Sequence, residues 1–273
     1  MVLSRRKTRM DRSLKSHPLY TFFITVLTFI AAYYACILLH EWAGHGLAAW
    51  LLGEKSSPFD IYYGGWALLH VDENVDYAKL MTAGRGISVA IIAINGVVVT
   101  GLFFILSLIL LPRASTQKNI VLFTFLYWAL VINMVPLLQY FTLTAFSSAG
   151  DVGQFTHGLN ISPWWIFIPG IVVVIAALWR IFKIEIPRAY AVIPIKSSWG
   201  RRILLFFTLF IIFLMIYTHG YNPLTDTGSN LSSQLLALGS ILLVPILLFL
   251  CDPSRNWVKK AVLQLETVTY TTL

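Results

Sequence analysis

The sequence predicts an all-α polytopic membrane protein, with about six transmembrane helices and a small β-hairpin between the first two. Three observations predict it. Hydrophobic residues make up 58% of the 273 and charged residues only 12%, at a mean hydropathy of +0.75, which leaves too little charge to cover a water-soluble surface of this size. The apolar residues gather in runs of roughly 20 or more, the length a helix needs to cross a hydrocarbon core of about 30 Å. The basic residues sit almost entirely between alternate runs, as cytoplasmic loops require. Soluble enzymes and peripheral interfacial proteins are thereby excluded as classes.

The runs fall near 19 to 53, 86 to 111, 119 to 148, 163 to 182, 203 to 219 and 231 to 250, each bounded by charge, proline or glycine. With the N-terminus inside, all of the 20 Lys and Arg except Lys55, Lys79 and Arg85 lie in cytoplasmic segments, so a multi-pass protein with both termini in the cytoplasm is expected. The formal charge of +8 then reports orientation, and no nucleic-acid partner is expected. The first run is too long for a cleavable signal core and is expected to stay in the mature chain. As a helix it would measure about 52 Å, so it must tilt, bend or protrude.

Between the first two runs, Phe59 to Tyr63 and Trp66 to Val71 flank Gly64-Gly65, a turn signal between β-prone segments. The functional reading is a hairpin edge that pairs with an unwound substrate segment; the alternative is an amphipathic loop lying on the membrane surface. The later runs read as scaffold, with Pro169 and Pro245 as kink positions and Trp164, Trp165 and Trp199 as interface anchors. The chain divides into a basic cytoplasmic tail (1–18), a catalytic membrane core of three spans with the loop 54–85 (19–158), three further spans (159–250) and a cytoplasmic tail (251–273). Cys36 and Cys251 lie in or at the end of apolar runs, far apart in sequence, and read as packing residues rather than a disulfide or a Cys-based zinc site.

Within the first run, His40, Glu41 and His45 stand among apolar neighbours. Ionisable side chains at membrane depth cost about 2.5–3.5 kcal/mol each, so three within six positions need compensation. Metal coordination supplies it: two neutral imidazoles bind Zn²⁺, and an adjacent Glu that is not a ligand can take a proton from water. The usual zincin pattern, His-Glu-x-x-His, keeps its histidines four apart on one helix face. Here they are five apart, about 140° around a regular helix. A π-bulge between His40 and His45, eased by Gly44, brings i and i+5 back together. A catalytic zinc takes a third protein ligand, and Asp151, framed by Gly150 and Gly153 at the extracytoplasmic end of the third run, lies on the same side of the membrane as the histidines. A proton relay or a buried polar network is the alternative for the trio.

These residues resemble the site-2 protease family of intramembrane zinc metalloproteases. The family joins a His-Glu-x-x-His helix, often continuing Gly-His-x-Leu-Ala-Ala, to a later Asn-x-x-Pro and Asp-Gly segment. This chain carries His40-Glu41, Gly44-His45-Gly46-Leu47-Ala48-Ala49, Asn133-x-x-Pro136 and Gly150-Asp151-Val152-Gly153, with one residue inserted in the zinc motif. A His-Glu-x-x-x-His motif also binds zinc in the dipeptidyl peptidase III family. The resemblance covers roughly residues 30 to 155. It implies His40, His45 and Asp151 as zinc ligands, Glu41 as general base, and Asn133 as a residue that holds the substrate backbone. The expected partners are a membrane-protein or peptide substrate and the lipid bilayer.

Two other function classes compete. Membrane di-iron desaturases also use histidine boxes, but need about eight histidines with adjacent pairs, whereas this chain has 6 and no pair. A transporter, receptor or inactive protease homologue would use the same trio as a pathway or a partner site. Of the other histidines, His157 reads as a solvated loop residue or a partner to a ligand, and His70 is not expected to bind metal. His219 and Asp226 lie in a short outer loop that would cap the site. Asn160-Ile161-Ser162 and Asn230-Leu231-Ser232 match the glycosylation acceptor pattern, one that short sequences meet by chance.

Overall fold

The protein is described by a computed structural model at residues 18–68, 71–214, 217 and 231–271. Its regular structure there is helical. Helix α1, Pro18–Leu51, starts on a proline, whose missing N–H costs nothing at a helix start. Helix α2, Tyr77–Thr82, is capped by Asp76, whose side chain accepts from the Lys79 backbone N–H. Then come α3, Gly86–Leu110, the short α4, Ala114–Lys118, and α5, Ile120–Thr142, capped by Asn119 through the Leu122 N–H. A nine-residue helix α6, Asp151–Leu159, follows, then α7, Trp164–Val192, α8, Ser198–Leu209, capped by Ser197, α9, Leu231–Leu250, and α10, Asn256–Thr271.

Four of these helices, α1, α3, α5 and α7, are long and apolar enough to cross a membrane, as an integral membrane protein requires. Helix α5 is the centre of the packing. Its Phe123, Tyr127, Leu130, Val131 and Met134 are fully buried, and α1, α3 and α7 pack around it. The outer faces stay apolar: Ile91, Val98, Leu102, Ile105 and Ile109 of α3 and Val172, Val173, Ile175 and Trp179 of α7 are exposed. Such faces suit lipid and would not suit water. Cys36 and Cys251 are free and buried, in keeping with a packing role.

Two expectations are corrected. The hairpin is absent as paired strands: among the described residues there is a single antiparallel bridge, Tyr62 to Asp72. The reason is competition for the backbone and side chains of this loop. The carbonyls of Trp66 and Ala67 accept from the hydroxyls of Tyr34 and Tyr33 on α1, and Phe59 and Tyr63 pack edge-on against Trp42. Helix α1 therefore takes the partners that a second strand would have used. The count of six spans is likewise not reached: four described helices meet the length and hydropathy of a span, and α9 offers only the shorter apolar stretch Gln234–Leu250. The fifth apolar run falls partly on residues outside those described. So do the N-terminal basic tail, His70, His219, Asp226 and Asn230.

The fourth run extends beyond its apolar stretch. Helix α7 continues through Arg180, Lys183 and Arg188 because buried Glu185 accepts from Arg180 Nε at 2.9 Å and pairs with Arg188, so the cations cost less where they sit. Helices α7 and α9 run through Pro169 and Pro245. Trp164, Trp165 and Trp199 are exposed, as interface anchors would be.

Candidate metal centre

The site begins in α1. Over Leu39–Gly46 the helix widens into a π-helix, which absorbs the inserted residue where the spacing places it. Its effect is to bring the two imidazoles together: their ring centroids are 4.6 Å apart at 82°, and His45 Nε2 lies 3.0 Å from His40 Nε2. The widened turn packs against α3, where Asn95 Nδ2 donates to the Gly44 and Ala43 carbonyls at 2.7 and 3.3 Å. The Gly44 carbonyl thereby accepts a second bond beside that from the Leu47 N–H.

Asp151 arrives from the other direction. Helix α5 ends at Thr142, and the chain returns through a non-helical segment to Gly150, whose φ of 75° and ψ of 166° belong to a region reserved for glycine. That turn sets Asp151 as the first residue of α6. Its Oδ2 is 3.3 Å from His40 Nε2 and 3.3 Å from His45 Nε2. Helix α6 is held against α3, with Gly158 at close backbone contact with Gly86. Two elements distant in sequence, α1 and α6, thus deliver three ligand atoms to one point, and all lie within 4.8 Å of one another.

The protonation pattern decides what those atoms can be. His45 Nδ1 is 2.8 Å from the Ile92 carbonyl oxygen, which only accepts, so Nδ1 is the donor and Nε2 carries a lone pair. His40 Nδ1 is 2.9 Å from Thr100 Oγ1, a hydroxyl that can accept from an Nδ1–H and so is compatible with the same tautomer. Asp151 Oδ2 is buried and has no hydrogen-bond donor. Three lone pairs facing one another repel unless a cation lies between them. Atoms bound at about 2.0–2.1 Å to a tetrahedral ion stand about 3.3 Å apart, which is the spacing found. The residues fit a metal ion, and the hydrogen bonds to Ile92 and Thr100 are the kind of outer support that fixes ligating histidines.

Glu41 is adjacent and is not one of the three. It is buried, with Oε2 lacking a hydrogen-bond partner. It forms a second group with His45 and Glu73, whose ligand atoms also lie within 4.8 Å. Outside the spans, burial pushes the Asp151 carboxyl up, but the two imidazoles pull it down further, so it lies below the ordinary carboxylate range. Burial, and then the Glu73 carboxylate, raise the Tyr77 phenol. Burial lowers the Lys55 ammonium, with Asp60 and Glu73 countering.

The structure brings together His40, Glu41, His45 and Asp151. It places Asn133 elsewhere: its amide donates to Ala129 O at 2.8 Å and Cys36 Sγ at 3.2 Å, one turn before His40. His157 is exposed. Four residues of the site are not evident from motif spacing. Asn95 and Thr100 had a visible signal, being hydrogen-bonding side chains within an apolar run. Glu73 reaches the site only because the loop folds back. Tyr140 stacks on His40 with centroids 6.0 Å apart and puts its hydroxyl 3.3 Å from His40 Nε2.

No family model matches the chain, and no curated protein or solved structure is detectably similar to it.

Proposed function

We propose that this chain is an intramembrane zinc metalloprotease that cleaves peptide bonds of membrane proteins by hydrolysis. The observation that carries the reading is the convergence of His40 Nε2, His45 Nε2 and Asp151 Oδ2 at 3.0–3.3 Å, with each histidine hydrogen-bonded from behind, His45 to Ile92 O and His40 to Thr100 Oγ1. Two nitrogens and one carboxylate oxygen suit zinc in a catalytic site, where a fourth position is left for water. Zinc bound there would acidify a water and polarise a carbonyl.

The remaining chemistry falls to this chain's own residues. Glu41, buried and with a free carboxylate oxygen, accepts a proton from the attacking water and returns it to the leaving nitrogen. The apolar surroundings of α1 limit competing water. The substrate approaches along a cleft of about 450 Å³ between α1 and the 58–68 loop, lined by Tyr34, Leu38, Trp42, Tyr63, Trp66 and Leu68. Trp42 directly follows the His-Glu pair and Leu38 lies two residues before it, so the cleft runs along the stretch of α1 that carries the site. Asn133 could take up the substrate backbone only by releasing Ala129 O.

For topology we propose a multi-pass arrangement with both termini in the cytoplasm and the metal centre toward the extracytoplasmic half. The distribution of Lys and Arg supports it.

The deciding experiment is metal quantification on the purified protein beside His40→Ala, Asp151→Ala and Glu41→Gln. Wild type and Glu41→Gln should each hold one zinc per chain, with cleavage lost in the latter; the two ligand variants should hold none. Metal-free wild type, or proteolysis that survives Glu41→Gln, would refute the reading.

A further inference from the structure

We infer that the Tyr140 hydroxyl oxygen is a fourth donor to the metal in the resting protein, so that the centre stays closed until a substrate displaces the phenol. The inference rests on the metal-centre reading above and adds to it a latent state.

Its basis is the position of the oxygen. The Tyr140 hydroxyl lies 3.3 Å from His40 Nε2, the same separation that Asp151 Oδ2 keeps from each imidazole. It therefore lies about one ligand spacing from one of the three donor atoms, the separation expected of a further donor to the same ion. His40 Nε2 cannot serve both an ion and a hydrogen bond from the phenol, because it has one lone pair. His40 Nδ1 is already taken by Thr100. With an ion held by His40 Nε2 the hydroxyl is thus left to turn its oxygen to that ion. Ligation replaces the phenol proton, which leaves to solvent.

The same residue is placed to move. Tyr140 is in the last turn of α5, two residues before Thr142, and the chain beyond is non-helical as far as Gly150. Displacement needs only a change in that turn. A fourth protein ligand is the mark of a closed site, whereas hydrolysis needs an open position. Opening by tyrosine exchange would tie hydrolysis to the arrival of a segment in the cleft.

The test uses the full chain in detergent, stripped of metal and reloaded with Cu²⁺, comparing wild type, Tyr140→Phe and, as a control away from the centre, Tyr33→Phe. Bound copper is counted and the visible spectrum recorded. Expected is one ion per chain in all three, with a phenolate-to-copper charge-transfer band in wild type and Tyr33→Phe that is lost in Tyr140→Phe. Zinc affinity of Tyr140→Phe should fall about tenfold. A stoichiometric ion without the band in wild type, or with the band intact in Tyr140→Phe, overturns tyrosine ligation and leaves the three-ligand centre standing. A wild-type protein that binds no ion overturns both. The wild-type spectrum decides the matter even if Tyr140→Phe fails to fold.

Discussion

Replacing Gly96 by alanine should damage the metal centre without touching any ligand. Gly96 lies on α3 where it meets the widened turn of α1, and a Cβ there would stand 2.5 Å from His45 Cε1 and 2.8 Å from His40 Cε1, with His45 Nε2 nearer still. Neither ring can retreat cheaply. His45 is tethered to Ile92 O and His40 to Thr100 Oγ1, while the backbone behind is in contact, Gly44 against Gly96 Cα. Overpacking of this kind costs about 1–3 kcal/mol, against which alanine returns up to about 1 kcal/mol of helix propensity. The displaced ring matters more: disturbing the support of a ligand typically lowers metal affinity 10–100-fold, about 1.4–2.8 kcal/mol. The control is Gly101→Ala on the same helix, where an added Cβ meets nothing within 4 Å; it should be neutral or slightly stabilising. Competitive chelator titration and thermal unfolding of both variants measure the two terms. Equal metal affinity in Gly96→Ala and wild type would show that the imidazoles do not stand against this glycine.

Three further outcomes follow from the same contacts. Thr100→Val removes the partner of His40 Nδ1 and should lower metal affinity about 10-fold or more, read by the same chelator titration. Asn95→Ala removes the side-chain donor to the Gly44 and Ala43 carbonyls and should cost about 0.5–1.5 kcal/mol, seen as a lower Tm and as faster exchange of the amides in the widened turn. Asp252 should make stability depend on acid. Burial raises its carboxyl, but Arg202 and Ser254 pull it down to about 2, below the unfolded value of about 3.9. The contribution is therefore complete above about pH 4 and lost as pH falls through about 2. The pair is partly exposed, so the amount is under about 1 kcal/mol. The Tm gap between wild type and Asp252→Asn should close over that acid window and stay constant above it.

The parts of the site that rest on local chain geometry were legible in the sequence. Two histidines five apart, with a glycine between them, imply a helix of altered pitch, and the structure has the π-helix at Leu39–Gly46. Asp151 was legible for a related reason, since a carboxylate set between glycines at the end of an apolar run marks a turn. Long-range returns were not. Glu73 comes to His45 through the fold of a loop whose register is set by Tyr62, Asp72 and the hydroxyls of Tyr33 and Tyr34, contacts that no local pattern encodes. The hairpin failed there too: Gly64-Gly65 marks a reversal, but the partner of the loop proved to be α1. Tyr140 reads as one more aromatic in an apolar helix until α6 folds back and places Asp151 beside it. The fourth span outran its apolar run because neutralisation of Arg180 and Arg188 by Glu185 is a property of three side chains in space.

The widened turn also preserves the rotation of everything that follows it in the helix. Downstream, Ala48 and Ala49 face inward against Ile92, and Leu52, Val75, Tyr77 and Leu80 gather round them. Shortening the motif by one residue would recover the commoner histidine spacing, and because the widened turn already absorbs that residue, an ordinary α-turn in its place would leave the last stretch of the helix in the same rotation, with both alanines still on Ile92. The two spacings are consequently equivalent solutions, and passage between them by a single deletion within the widened turn leaves the outer cluster intact.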